Sequence, residues 1–197
     1  MPFCFIKIFQ NPEVWCIDYS KKSLISLRKK FKSKKIKIIE LDMDDLPKFI
    51  NQKNLKNYFD IVHSSYALYY AKKQTKVLNS MKNSLVKNGL FLISTPSEPH
   101  EMVNFINKIY KIPNKILKTL KFYKNVLVPY LKKNNSKNIF KKKTNYLSFK
   151  KTREFLEFWE NTTYYNKTII DEVIKKLNKR NSLKFRKISA IACSIKK

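Results

Sequence analysis

A single glycine, Gly89, serves all 197 residues of this chain. Glycine is the default residue where φ must be positive or where the backbone must pass close to a ligand. A glycine-rich loop around a phosphate or a cofactor is therefore excluded from these residues. Arginine is also scarce: of 43 basic residues, only Arg28, Arg153, Arg180 and Arg186 are Arg. Arg is the residue that reads phosphates and base edges bidentately, so its scarcity weighs against a dedicated nucleic-acid reader despite a formal net charge of +29. The Lys excess comes with abundant Asn, Ile, Tyr and Phe, the bias an AT-rich coding sequence produces. Composition thus favours a solvated basic surface over a nucleic-acid face. The cysteines, Cys4, Cys16 and Cys193, are odd in number and scattered, which excludes a disulfide framework and a metal-ligand spacing. They read as reduced thiols of a cytoplasmic protein. Long hydrophobic runs are absent as well. The stretch from Phe3 to Phe9 is short, interrupted by Lys7, and has no cleavage-site pattern; it is neither a signal peptide nor a membrane span, and no membrane partner is expected.

What is present is a regular beat. Hydrophobic residues make up 43% of the chain, enough for one domain with a full core. Val14-Trp15-Cys16-Ile17 reads as a short buried strand with Asp18 at its carboxyl end, and Ser20 can cap the helix that follows. Leu24, Leu27 and Phe31 mark one face of that helix. A second strand, Ile36 to Leu41, ends at the acidic knot Asp42-Met43-Asp44-Asp45. A third, Phe59 to His63, runs into Ser64-Ser65-Tyr66. A helix from about Gln74 carries Val77, Leu78, Met81 and Leu85 on its buried face, and Asn88-Gly89 is expected to end it. The next strand, Leu90 to Thr95, stops at Pro96. Strands alternating with helices of this length imply an α/β fold with a parallel sheet.

From Glu101 the pattern is helical: Val103, Ile106 and Tyr110, a break at Pro113, then Ile116, Leu117 and Leu120. Lys132 to Lys143 lacks apolar periodicity and reads as an exposed loop. Helices follow with Phe155, Phe158 and Trp159, then Ile170, Val173, Ile174 and Leu177, on their apolar faces; Ser182 to Ile195 closes the chain as a strand. The whole, 1–197, is expected to be one domain: 13–96 a cofactor-half core, 101–181 a helical insertion or substrate lid, and 182–197 the closing strand.

This succession of strand ends resembles the class I S-adenosylmethionine-dependent methyltransferases. The resemblance is strongest from Glu13 to Pro96 and implies a Rossmann-like sheet with flanking helices. Ile17-Asp18-Tyr19-Ser20 looks like the family's second-strand motif. By that match Asp18 is the ligand of the cofactor's ribose and Tyr19 lies against the adenine. Leu41-Asp42-Met43-Asp44 resembles the third-strand motif, in which Asp42 accepts from the adenine amino group and the Met43 backbone completes the base's edge. Phe59 to Tyr70 looks like the fourth-strand motif, whose first polar residues, Ser64 here, line the cofactor pocket. The residues from Phe158 to Thr163 and the last strand are similar to the closing section of methyltransferases like the trans-aconitate enzyme, which favours a small-molecule substrate.

Each residue also has a plain structural role open to it. Asp18 and Asp42 are the type that caps and turns use at strand ends; His63 and His100 suit a general base or a hydrogen-bonded structural histidine; Tyr66, Tyr69 and Tyr70 suit core or pocket. The departure from the family is the missing first strand with its Gly-rich loop, expected to precede Met1 in an N-terminally truncated methyltransferase. Phe3 to Phe9 taking over the vacant slot is the other arrangement. Two functions follow: a methyltransferase acting on a small molecule with its activity in doubt, and a non-catalytic basic protein, binding RNA, on the same scaffold. Substrate and oligomeric state are not encoded in any motif here.

Overall fold

The structure is a computed structural model that describes residues 12–31, 35–134 and 137–197. The segment Phe3 to Phe9 and Cys4 lie outside the described residues. The chain divides into two compact units, Met1–Phe91 with Lys196–Lys197, and Leu92–Ile195.

In the first unit, β1 (Val14–Asp18) and β2 (Ile36–Glu40) pair in parallel, from Val14 opposite Ile36 to Asp18 opposite Glu40. A hydrogen bond from the Leu41 amide to the Asp18 carbonyl, at 3.0 Å, extends the ladder past the strand ends. Helix α1 (Lys21–Lys30) crosses between them. It begins where it does because Ser20 has extended backbone and its hydroxyl accepts the Ser23 amide. Basic Arg28, Lys29 and Lys30 in its last turn complement the helix dipole. After β2 come a short 3₁₀ turn, Met43–Asp45, and α2 (Leu46–Gln52) with Pro47 in its first turn, where a missing N–H costs nothing. Then follow β3 (Phe59–Ser65) and α3 (Gln74–Ser84), which leads straight into β4 (Leu85–Pro96). β3 lies beside β4. Among the described residues no strand joins β1 to β3. Their link is made by side chains: the Trp15 ring meets Phe59 edge-on at 5.8 Å, and the Tyr58 hydroxyl donates to Glu13 at 2.9 Å.

Val77, Leu78 and Met81, expected on the helix's apolar face, are buried on α3, while Leu85, expected with them, is fully buried as the first residue of β4. Burial of such side chains contributes about 1.5–3 kcal/mol each. The end of α3 differs from expectation. It stops at Ser84, and its last carbonyls, those of Asn83 and Ser84, accept the amides of Asn57 and Tyr58. Asn88 and Gly89 lie inside β4. It is Asn88, at φ 63°, that takes the left-handed conformation, while Gly89 has negative φ. Gly89 is needed for space: a Cβ there would stand 2.9 Å from the Val86 carbonyl and 3.2 Å from that of Asp60.

In the second unit, the later residues of β4 neighbour β6 (Lys184–Ile195), and β6 neighbours β5 (Asn138–Ser148). The last pair is antiparallel, from Asn138 opposite Ser194 to Ser148 opposite Lys184. Helices α4 (Glu101–Ile109), α5 (Asn114–Thr119), α6 (Val128–Lys133), α7 (Thr152–Glu160) and α8 (Ile170–Leu177) complete it. Met102, Val103 and Ile106 of α4 meet Phe155 and Trp159 of α7, Val173 and Leu177 of α8, and Phe185 of β6 in one buried cluster. Phe158, expected on the apolar side of α7, is instead 40% exposed.

The segment Lys132 to Lys143, expected as a loop, holds the end of α6 and the start of β5. Its lysines hide the strand from a search for alternation because they occupy both faces. As the last strand in the sheet, β5 satisfies its backbone by pairing with β6 alone, and Lys141, Lys142 and Lys143 are exposed along it. Charge on an edge strand opposes further strand addition.

Candidate functional site

Parallel pairing of β1 and β2 sends both chains off the same edge of their sheet, which is where open α/β folds bind ligands. Asp18, the last residue of β1, is half-buried. Its Oδ1 accepts the Ser20 amide at 2.9 Å, an Asx turn that prepares the cap of α1. Its Oδ2 makes no hydrogen bond to a described residue. Tyr19 follows with its side chain in solvent, 68% exposed.

Asp42, past the end of β2, is exposed and caps the 3₁₀ turn by accepting the Asp44 amide at 2.9 Å. The Met43 carbonyl accepts the Leu46 amide. Asp44 is a residue whose importance sequence reasoning missed. Its two carboxylate oxygens accept the amides of Lys72 and Lys73, each at 2.9 Å. This clamp ties the segment after β2 to the start of α3, whose own cap residue, Lys73, supplies no side-chain hydrogen bond. A carboxylate at a helix N-terminus also meets the positive end of the dipole. Nothing short of the folded chain reveals it, because the partners are backbone amides 28 and 29 residues away.

The structure therefore brings Asp18, Tyr19, Asp42 and Met43 to one edge through the Leu41–Asp18 bond. Ser64 lies in β3, half-buried, and makes no hydrogen bond with Asp18 or Asp42. Two residues on, Tyr66 has φ 53°. A bulky residue in the left-handed region is strained, and such strain gathers at functional sites. Of the neighbouring tyrosines, Tyr69 is buried and Tyr70, whose ring centroid lies 4.3 Å from that of Tyr69, is 50% exposed. Burial lowers the pKa of His63 in β3, which makes the neutral imidazole its form at neutral pH.

The second unit has a cleft of its own, about 310 Å³, lined by residues including His100, Glu101, Asn104 and Arg186. Burial, aided by the Lys187 charge, pushes the His100 pKa down to about 4. Its Nδ1 is buried without a hydrogen-bond partner among the described residues. Among the described residues no group of His, Cys, Asp and Glu is arranged to hold a metal ion, and no helix is long and apolar enough to cross a membrane.

A parallel strand pair feeding acidic residues to one edge, with helices between strands, defines a Rossmann-like α/β fold. A methyltransferase-domain family model matches residues 3–144, most of the chain. The protein belongs to this methyltransferase-domain family. Solved structures agree on the fold. The YcgJ protein of Bacillus subtilis is 13% identical, with 94% of this chain and 82% of that one covered at a TM-score of 0.65. A candidate methyltransferase of Bacillus halodurans is 15% identical, with 93% and 82% covered at 0.58. The cyclase SpnF also matches, at 13% identity, 100% and 71% coverage and a TM-score of 0.53; one fold thus carries more than one chemistry. No curated protein matches the chain.

Proposed function

We propose that this chain binds the adenosine half of S-adenosylmethionine at the β1–β2 edge and directs methyl transfer to a small molecule. The observation that carries the proposal is the Asp18 carboxylate: one oxygen is fixed in the turn to Ser20 and the other makes no hydrogen bond to a described residue. A carboxylate so oriented is preorganised to accept from a ribose hydroxyl. Tyr19 would lie against the adenine, Asp42 would accept from its amino group, the Met43 amide would meet the ring edge, and Ser64 would line the pocket. The sulfonium of bound S-adenosylmethionine supplies an electrophilic methyl group. The chain's part is then to hold an acceptor in line, for which proximity and orientation suffice without a catalytic dyad.

In this reading the residues at the β1–β2 edge make their contacts to the adenosine half of the cofactor. Amide NMR tests the site: addition of S-adenosylhomocysteine is expected to shift the signals of Tyr19, Ser20 and Asp44 together. Shifts confined to other residues would overturn the assignment.

A further inference from the structure

The cleft of the second unit is not used by the adenosine-binding edge. Its walls are set by two fixed points. Ser97, just after β4, donates both its amide (2.9 Å) and its hydroxyl (3.2 Å) to the Ile188 carbonyl of β6. Glu101, at the start of α4, accepts the Arg186 amide at 2.9 Å through one carboxylate oxygen and Arg180 Nη2 at 3.2 Å through the other. The loop Glu98 to His100 is therefore held against β6 from both sides, and the cleft between them is built into the backbone.

The charges of the cleft sort by these bonds. Glu101 is spent on Arg180 and on the Arg186 amide. Arg180 is spent in turn: its guanidinium also lies 4.6 Å over the Phe185 ring. That leaves two exposed charges of opposite sign on the lining, the Arg186 guanidinium and the Glu98 carboxylate. Neither makes a hydrogen bond to a described residue. The lining also holds a neutral imidazole, His100, an amide, Asn104, and the apolar Ile188. The Lys187 charge also reaches His100 and the Arg186 charge reaches Glu101, so the cationic side of the cleft is Arg186 with Lys187 behind it, and Glu98 is the carboxylate that opposes a lone anion.

We infer that this cleft binds a small zwitterion, a molecule with a carboxylate for Arg186, an ammonium for Glu98 and a short apolar body for Ile188. The volume, about 310 Å³ and so at the lower end of the roughly 300–1,000 Å³ seen for ligand clefts, suits an amino acid. That such a molecule is the methyl acceptor rests on the methyl-transfer reading; that it binds does not.

The test is an NMR titration of the full chain with three probes of matched length: γ-aminobutyrate, butyrate and butylamine, with no cofactor present. The expected result is a saturable shift of the Asn104 side-chain amide and the His100 ring signals with γ-aminobutyrate, and far weaker effects of the other two. Arg186→Gln is expected to weaken γ-aminobutyrate about tenfold or more, as loss of a charge-assisted pair does. Glu98→Gln should weaken it too while improving butyrate. Both side chains are exposed, so both variants should keep the wild-type spectrum elsewhere. Equal binding of butyrate or butylamine, or no shift at these two residues with any probe, overturns the inference. Zwitterion binding without S-adenosylhomocysteine binding would leave the cleft assigned and reject the methyl-transfer reading alone.

Discussion

The Oδ1 of Asp18 accepts the amide of Ser20 at 2.9 Å, so the residue proposed to hold the ribose is also the one that turns the chain into α1. The two roles use different atoms and can be separated by substitution. Asn keeps an acceptor oxygen but loses the charge; Ala loses both. Asp18→Asn is expected to melt within a few degrees of wild type and to bind S-adenosylhomocysteine roughly tenfold or more weakly, the loss of a charged acceptor being about 1.5–3 kcal/mol. Asp18→Ala should lose stability as well as affinity. Thermal melts and titrations on the two variants decide this.

Asp44 should behave as a purely structural carboxylate. Its removal leaves the amides of Lys72 and Lys73 without their acceptor. Asp44→Ala is expected to cost about 1–3 kcal/mol and to speed hydrogen exchange at those two amides first. Unchanged exchange at Lys72 and Lys73 would show that the clamp is not made in solution.

Gly89→Ala should destabilise through contact and not through φ. The added methyl would stand 2.9 Å from the Val86 carbonyl and 3.1 Å from the Leu85 side chain. Overpacking of this kind costs about 1–3 kcal/mol, read as a lower melting temperature. A neutral effect would mean that β4 shifts to make room.

His100 predicts acid sensitivity. Its pKa falls from 6.5 to about 4 on folding, chiefly through burial. The unfolded chain therefore takes up the proton first as pH drops. Stability from this group is complete above about 6.5, declines as pH falls towards about 4, and is flat below, a total on the order of 3 kcal/mol. His100→Gln should remove that slope from a plot of melting temperature against pH, and a wild-type slope in the variant would rule out His100 as its source.

Much of the fold was legible because hydrophobic period and capping residues agree. The end of β1 at Asp18, the start of α3 at Gln74 and the break at Pro113 stand where apolar rhythm and turn chemistry place them, and β2 ends at Glu40, one residue before the expected Leu41. The misreadings have identifiable causes. Asn88-Gly89 has the form of a helix end, but the carbonyls of α3 are satisfied four residues earlier by amides from the Asn57–Tyr58 turn. β5 is an edge strand whose lysines erase its alternation. At the site, Asp18 and Asp42 were visible as acids at strand ends. Asp44 and the Glu101–Arg180–Arg186 arrangement were not, since their partners lie 28 to 85 residues away and three of the four are backbone amides.

The most direct test of the central claim is calorimetric titration of the wild-type chain with S-adenosylhomocysteine and, separately, with adenosine. Adenosine-half recognition at Asp18 predicts saturable binding of both, with affinities within about tenfold of each other, and loss of both in Asp18→Asn. No heat from either ligand with a folded chain, or binding that Asp18→Asn leaves intact, would contradict it.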